Sequence, residues 1–197
     1  PHLYKATQGD LSKLTSADII FYNGLHLEGK MGEVLEKLAR QKPVEAISAR
    51  IDTSLLLQVP EYNSYDPHIW FDVTLWKEAV DYIGRCLITS DTVNATFYQD
   101  NLDTYLGQLD SLHMEVKAQI NTISEDQRVL ITAHDAFGYF GEAYNIEVKG
   151  LQGISTLSEY GLKDVSELVN FIISRNIKAV FVETSVSEKA ITAVVEG

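Results

Sequence analysis

A chain of 197 residues with 45% apolar content carries enough hydrophobic material for one large domain or two small ones. Sixteen Lys+Arg against 28 Asp+Glu leave a net charge of −12, so phosphate backbones and anionic membrane surfaces repel the chain, and nucleic acid is excluded as a partner class. The single cysteine, Cys86, rules out an internal disulfide and any cysteine-rich metal cluster, and no apolar run reaches the roughly 18 residues of a membrane span.

Strand-like apolar runs alternate with helical patterns along the chain, which predicts parallel sheets with helical crossovers. The chain opens on "PHLYKATQGD", where His2 precedes a Gly-Asp helix-start signal and so belongs to a loop entering a helix. "ADIIFYN" (17–23) reads as a buried strand, "EGKMGEVLEKLARQ" (28–41) as a helix and "KPVEAIS" (42–48) as a second strand, together one β-α-β unit. Residues 49–67 contain Pro60, Pro67 and many polar residues. A structureless connection of that length is uncommon and invites a functional reading. His68 ends it, and "FDVTLWKEAVDYIGRCL" (71–87) resumes helical periodicity.

From Tyr98, apolar residues recur at Leu102, Tyr105, Leu109, Leu112, Val116, Ile120 and Ile123. Steps of three and four draw one stripe along a helix of about 28 residues, roughly 42 Å long. Such a helix suits a bundle. It also suits a strut joining two lobes, which the β-α patterns on either side favour. Beyond it, "RVLITAH" (128–134) reads as a strand ending in His134, "DAFGYFGEAYN" (135–145) as a short helix and "IEVKG" (146–150) as a strand. A helix within 157–176, a strand over "IKAVFVET" (177–184) and a closing helix over 185–197 complete the pattern.

Three histidines lie where chemistry collects: His2 and His68 on loops, and His134 at the C-terminal end of a strand, where open parallel sheets bind their ligands. A lone loop histidine is more often a turn residue than a ligand, and His26 in "NGLHLEGKM" competes with the others on these grounds alone. His113 reads as a solvated flank of the long helix. Several neutral imidazoles with carboxylates nearby suit zinc or manganese. Asp66 and Asp135, each within two residues of a candidate histidine, could orient the rings, and both are equally plausible as helix caps. No local metal signature is available, because the three histidines are some 66 residues apart.

The segments "PHLYKATQGDLSKLTSADIIFYNGLHLEGKM", "DPHIWFDVTLWKEAV", "TAHDAFGYFGEAYNIEVKGLQGISTLSE" and "VFVETSVSEKAI" together resemble the manganese/zinc substrate-binding proteins of ABC transporters, the helical-backbone metal receptors. The likeness runs nearly end to end and in order. It implies an α/β fold of two lobes, each a mostly parallel sheet with flanking helices, joined by one long rigid helix: an amino-terminal lobe over 1–93, the linking helix over 94–123 and a carboxy-terminal lobe over 124–197. It implies that His2, His68 and His134 are metal ligands and that His26 is not. The fourth ligand is expected from an aspartate beyond residue 197, and the first strand of the amino-terminal lobe is expected before Pro1.

The implied function is an extracytoplasmic, periplasmic or lipid-anchored receptor that captures Mn2+ or Zn2+ between its lobes. A monomer, it delivers the ion to the permease of an ABC transporter and is not an enzyme. Related receptors have been described in adhesion terms. Zinc-dedicated members carry a histidine-rich loop before the "DPH-W" segment, whereas "DTSLLLQVPEYNSY" (52–65) has no histidine, which favours manganese or a manganese/zinc generalist. Zinc nevertheless outcompetes manganese at most nitrogen-oxygen sites, so supply enters the choice of ion. The rival class is a mononuclear zinc-dependent hydrolase with Asp135 as base, but no nucleophile or catalytic motif accompanies the histidines.

Overall fold

A computed structural model describes residues 2, 4–152 and 161–182 of the chain. The first helix, α1 (Gln8–Ser16), starts at Thr7, whose hydroxyl accepts from the Asp10 backbone N–H while the Asp10 carboxylate accepts from the Thr7 N–H. This reciprocal pair satisfies two helix-end donors at once. At the other end the Lys42 ammonium donates to the carbonyls of Leu14, Thr15 and Ala17, closing the helix over its unsatisfied acceptors.

Strand β1 (Ile20–Tyr22), helix α2 (Gly32–Ala39) and strand β2 (Val44–Ala46) form the expected β-α-β unit, with β1 and β2 parallel and Ile20 opposite Val44. Ile20, Leu35 and Leu38 are buried together, packed by Leu14, Tyr22, Val34 and Val44. The helix is shorter than its sequence pattern predicts. Residues Gly29–Met31 form a single 3-10 turn instead, because the Glu28 side chain is engaged elsewhere.

The irregular connection of 49–67 contains a minimal antiparallel ladder, β3 (Gln58–Val59) with β4 (Ser64–Tyr65), around a 3-10 turn at Pro60–Tyr62 and a left-handed Asn63. The ladder continues as a bond from the Asp66 N–H to the Leu57 carbonyl at 2.8 Å, which delivers Asp66 in a set position. Asp72 then caps α3 (Val73–Ser90), accepting from the Thr74 N–H at 2.7 Å.

Helix α4 (Ala95–Ile120) is the long helix expected from the stripe, 26 residues and roughly 39 Å by its rise. It packs on α3 through Val73, Val80, Leu102 and Leu109. Gly84 permits that approach, since a Cβ there would stand 2.6 Å from Leu102 Cδ2. The stripe is only partly covered among the described residues, with Tyr105 and Leu112 exposed, and His113 is half-buried instead of fully solvated.

The chain divides into two compact units, Pro1–Glu115 and Val116–Gly197, and the division falls within α4. In the second unit, β5 (Val129–His134) and β6 (Glu147–Gln152) pair in parallel, connected by α5 (Gly138–Tyr144). Helix α6 (Leu162–Ser174) places Leu168 against Ile131, Ala133 and Leu151 to make the core. The strand expected over 177–184 is reduced, among the described residues, to one parallel bridge. Phe181 donates its N–H to the Ile131 carbonyl and accepts from the Ala133 N–H, so β5 has bonded neighbours on both sides. Residues 183–184 and the expected closing helix of 185–197 lie outside the described residues. The architecture is α/β, with small parallel sheets and helical crossovers.

Candidate metal centre

His68 sits where the proline-bearing connection ends and a 3-10 turn, Ile69–Phe71, begins. Its ring is almost fully buried, at 2% exposure, and so is Asp66. A buried imidazole must have its polar atoms satisfied, and Asp66 partners one of them while also holding the His68 backbone. One oxygen, Oδ1, accepts from the His68 backbone N–H at 2.9 Å and contacts His68 Nδ1 at 2.6 Å. A carboxylate at Nδ1 draws the ring proton to that nitrogen and turns the lone pair of Nε2 outward, which is the tautomer a metal requires. The Trp70 ring stands edge-on at 5.2 Å and completes the packing.

The first unit brings His2 to this lone pair. Its Nε2 is 3.2 Å from His68 Nε2, with the rings tilted at 65° and centroids 5.2 Å apart. A tetrahedral zinc ion bound at about 2.0–2.1 Å to each of two imidazoles holds the nitrogens about 3.3 Å apart. The observed pair is therefore already at coordinating separation.

A loop absent from the sequence-level reading supports both segments. The Glu28 carboxylate, predicted as the first helical residue, turns back to accept from the N–H groups of Asn23 (2.6 Å) and Gly24 (3.1 Å). Between these anchors Leu25 and His26 adopt left-handed backbone, φ 51° and 63°. Each costs on the order of 1–2 kcal/mol for a residue with a Cβ. Two bonds to a carboxylate contribute about 1.5–3 kcal/mol each, toward the lower end for a half-buried group, and so are of a size to offset the strain. His26 itself is exposed and is not drawn to the His2–His68 pair.

The second unit presents His134 differently. It is the last residue of β5, 7% exposed, opposite Gln152 in the ladder. Its carbonyl accepts from the buried Thr132 hydroxyl at 2.7 Å and from the Ala136 N–H at 3.0 Å, which turns the chain sharply out of the sheet. The half-buried Asp135 occupies that turn, and a Cβ on Gly150 would fall 2.6–2.7 Å from its Cα and N. Only glycine at 150 lets β6 run this close. A glycine inside a strand pattern is the signal that could have revealed it.

The family model for the periplasmic zinc-uptake complex component A, ZnuA, matches residues 1–197. The chain belongs to this family. Within ZnuA-type proteins it is 50% identical over 197 residues to the manganese-binding lipoprotein MntA of Bacillus subtilis, covering 100% of this chain and 64% of that protein. It is 45% identical to the zinc-binding protein TroA of Treponema pallidum, covering 98% and 62%. The solved structure of the periplasmic zinc-binding TroA superposes with a TM-score of 0.95 at 44% identity, over 100% of this chain and 70% of that one. The chain thus spans slightly under two thirds of these two curated relatives. The resemblance read from the linked motifs is borne out at the level of family and fold.

Proposed function

We propose that the protein is a non-catalytic receptor that takes up a divalent cation, Mn2+ or Zn2+, on the imidazoles of His2, His68 and His134 and passes it to the permease of an ABC transporter. The observation that carries this reading is the His2–His68 pair: two Nε2 atoms 3.2 Å apart, one of them on a ring whose Nδ1 faces a buried carboxylate. His134 completes the set from the second unit, at the strand end where parallel sheets offer ligands. Asp66 orients His68, and Asp135 supports the turn after His134.

The relatives support the cargo and the setting, being named manganese- and zinc-binding and described as periplasmic or as a lipoprotein. We place the receptor, as a monomer, at the extracytoplasmic face, in the periplasm or held by a lipid anchor. Helix 94–123 serves as the backbone between lobes 1–93 and 124–197. No observation favours the hydrolase alternative.

Calorimetric titration with Mn2+ and Zn2+ tests the reading. One tight site is expected in the intact protein, and His68→Ala removes most of it, with His2→Ala and His134→Ala each weakening it. Tight binding retained in His68→Ala overturns the assignment.

A further inference from the structure

Residue 2 and residues 66–68 are distant in the chain, yet both rest on the one loop that Glu28 clamps. Gly29, with φ 47°, lies so close to His2 that a Cβ would stand 2.7 Å from the His2 carbonyl oxygen. At the other end of the loop, the buried Asn23 side chain donates from Nδ2 to the carbonyl of Pro67, the residue before His68, at 2.9 Å. The Asn23 carbonyl accepts from the Ser48 hydroxyl at 2.6 Å, which roots the loop beside the end of β2. Opening the Glu28 clamp would free the Asn23 and Gly24 amides and let the left-handed Leu25–His26 pair relax. His2 and Pro67 would then lose a common support.

We infer that loop 23–29, fastened by the Glu28 carboxylate, is a positioning device for cation capture that holds His2 and His68 at coordinating separation before the ion arrives. The inference rests on the reading of those two histidines as ligands. Its physical content is preorganisation: ordering two imidazoles in advance removes a cost that binding would otherwise bear. Glu28 and Asn23 touch no cation in this scheme. They act through the segments that carry the rings.

The test uses the intact protein and the variants Glu28→Ala, Glu28→Gln and Asn23→Ser. Lys42→Met, which loosens the C-terminus of α1, serves as a stability control, and His68→Ala as a ligand control. Zn2+ affinity by competition titration, the visible absorption spectrum of the Co2+-loaded protein and the denaturation midpoint of the metal-free protein are read in parallel. Glu28→Ala is expected to weaken Zn2+ binding roughly 10-fold or more and to alter the Co2+ bands. Glu28→Gln, whose amide oxygen can still accept one N–H, is expected to fall between Glu28→Ala and wild type. Lys42→Met lowers the midpoint without moving the spectrum. Wild-type affinity and spectrum in Glu28→Ala overturn the inference, as does an affinity loss that Lys42→Met reproduces at equal stability. If Glu28→Ala fails to fold, Asn23→Ser carries the same expectation and the same reversal. Tight binding in His68→Ala would remove the ligand reading itself. Loss of binding there with unchanged Glu28 and Asn23 variants would remove only the positioning role.

Discussion

His68 and His134 are both buried histidines, but the two units hold them by different physics. In the first unit the backbone around His68 is irregular, and side chains do the holding: Asp66 on the ring and its N–H, Asn23 on the preceding carbonyl. In the second unit His134 is held by a ladder, with β6 on one side and Phe181 bonded to residues 131 and 133 on the other. A site held by side chains can be loosened one group at a time, whereas a site held by a ladder yields only when backbone positions move.

That contrast can be broken most forcefully at Gly150. Its neighbour is the Asp135 backbone, which cannot rotate away, so Gly150→Ala is expected to cost about 3 kcal/mol, the upper end for an overpacked position. Denaturant unfolding should show the loss, and an unchanged midpoint would mean that the turn after His134 is softer than the ladder implies. Next in size, Asp66→Ala is expected to weaken Zn2+ binding roughly 10- to 100-fold by releasing the His68 tautomer. Asp66→Asn, which keeps an acceptor at the same place, should lose less, and equal losses in the two variants would argue that charge and not ring orientation is what matters.

The smallest effect belongs to Asp10, in the cap of α1. The Tyr4 hydroxyl first, then the Thr7 hydroxyl and N–H, donate to its carboxylate and hold its pKa down to about 2, against an ordinary 3.8. A depressed carboxyl pKa stabilises the fold above the ordinary value, and the contribution disappears as pH falls through about 2. Asp10→Asn should therefore flatten the acid limb of a stability-versus-pH curve over that interval while leaving Zn2+ affinity at neutral pH unchanged. A drop in affinity would mean that the α1 cap reaches His2 after all.

Much of this was legible in the sequence. β1 and β5 announced themselves as short apolar runs, because a strand covered on its faces has few polar residues, whereas β2 and β6 carry Glu45, Glu147 and Lys149 and follow from the β-α alternation. The stripe from Tyr98 predicted α4 to within a few residues at either end. What escaped was local chemistry acting against pattern. Glu28 reads as a helix residue by periodicity, yet two backbone amides five and four residues earlier capture its carboxylate and delay the helix to Gly32. The pairing of Gln58–Val59 with Ser64–Tyr65 is too short to show alternation, and Phe181 belongs to a run that reads as a full strand but bonds at one position.

The sequence by itself determined the α/β alternation, the long helix and the family, because each is written in periodicity or in linked motifs that span the chain. Only the tertiary structure decided that His2 and His68 meet through Nε2, that Asp66 faces His68 Nδ1 instead of capping a helix, and that Asn23 and Gly29 lie against the segments carrying the two rings. Those contacts join residues 2 to 66 positions apart through single hydrogen bonds and close backbone approaches, which leave no repeating mark for a sequence to show.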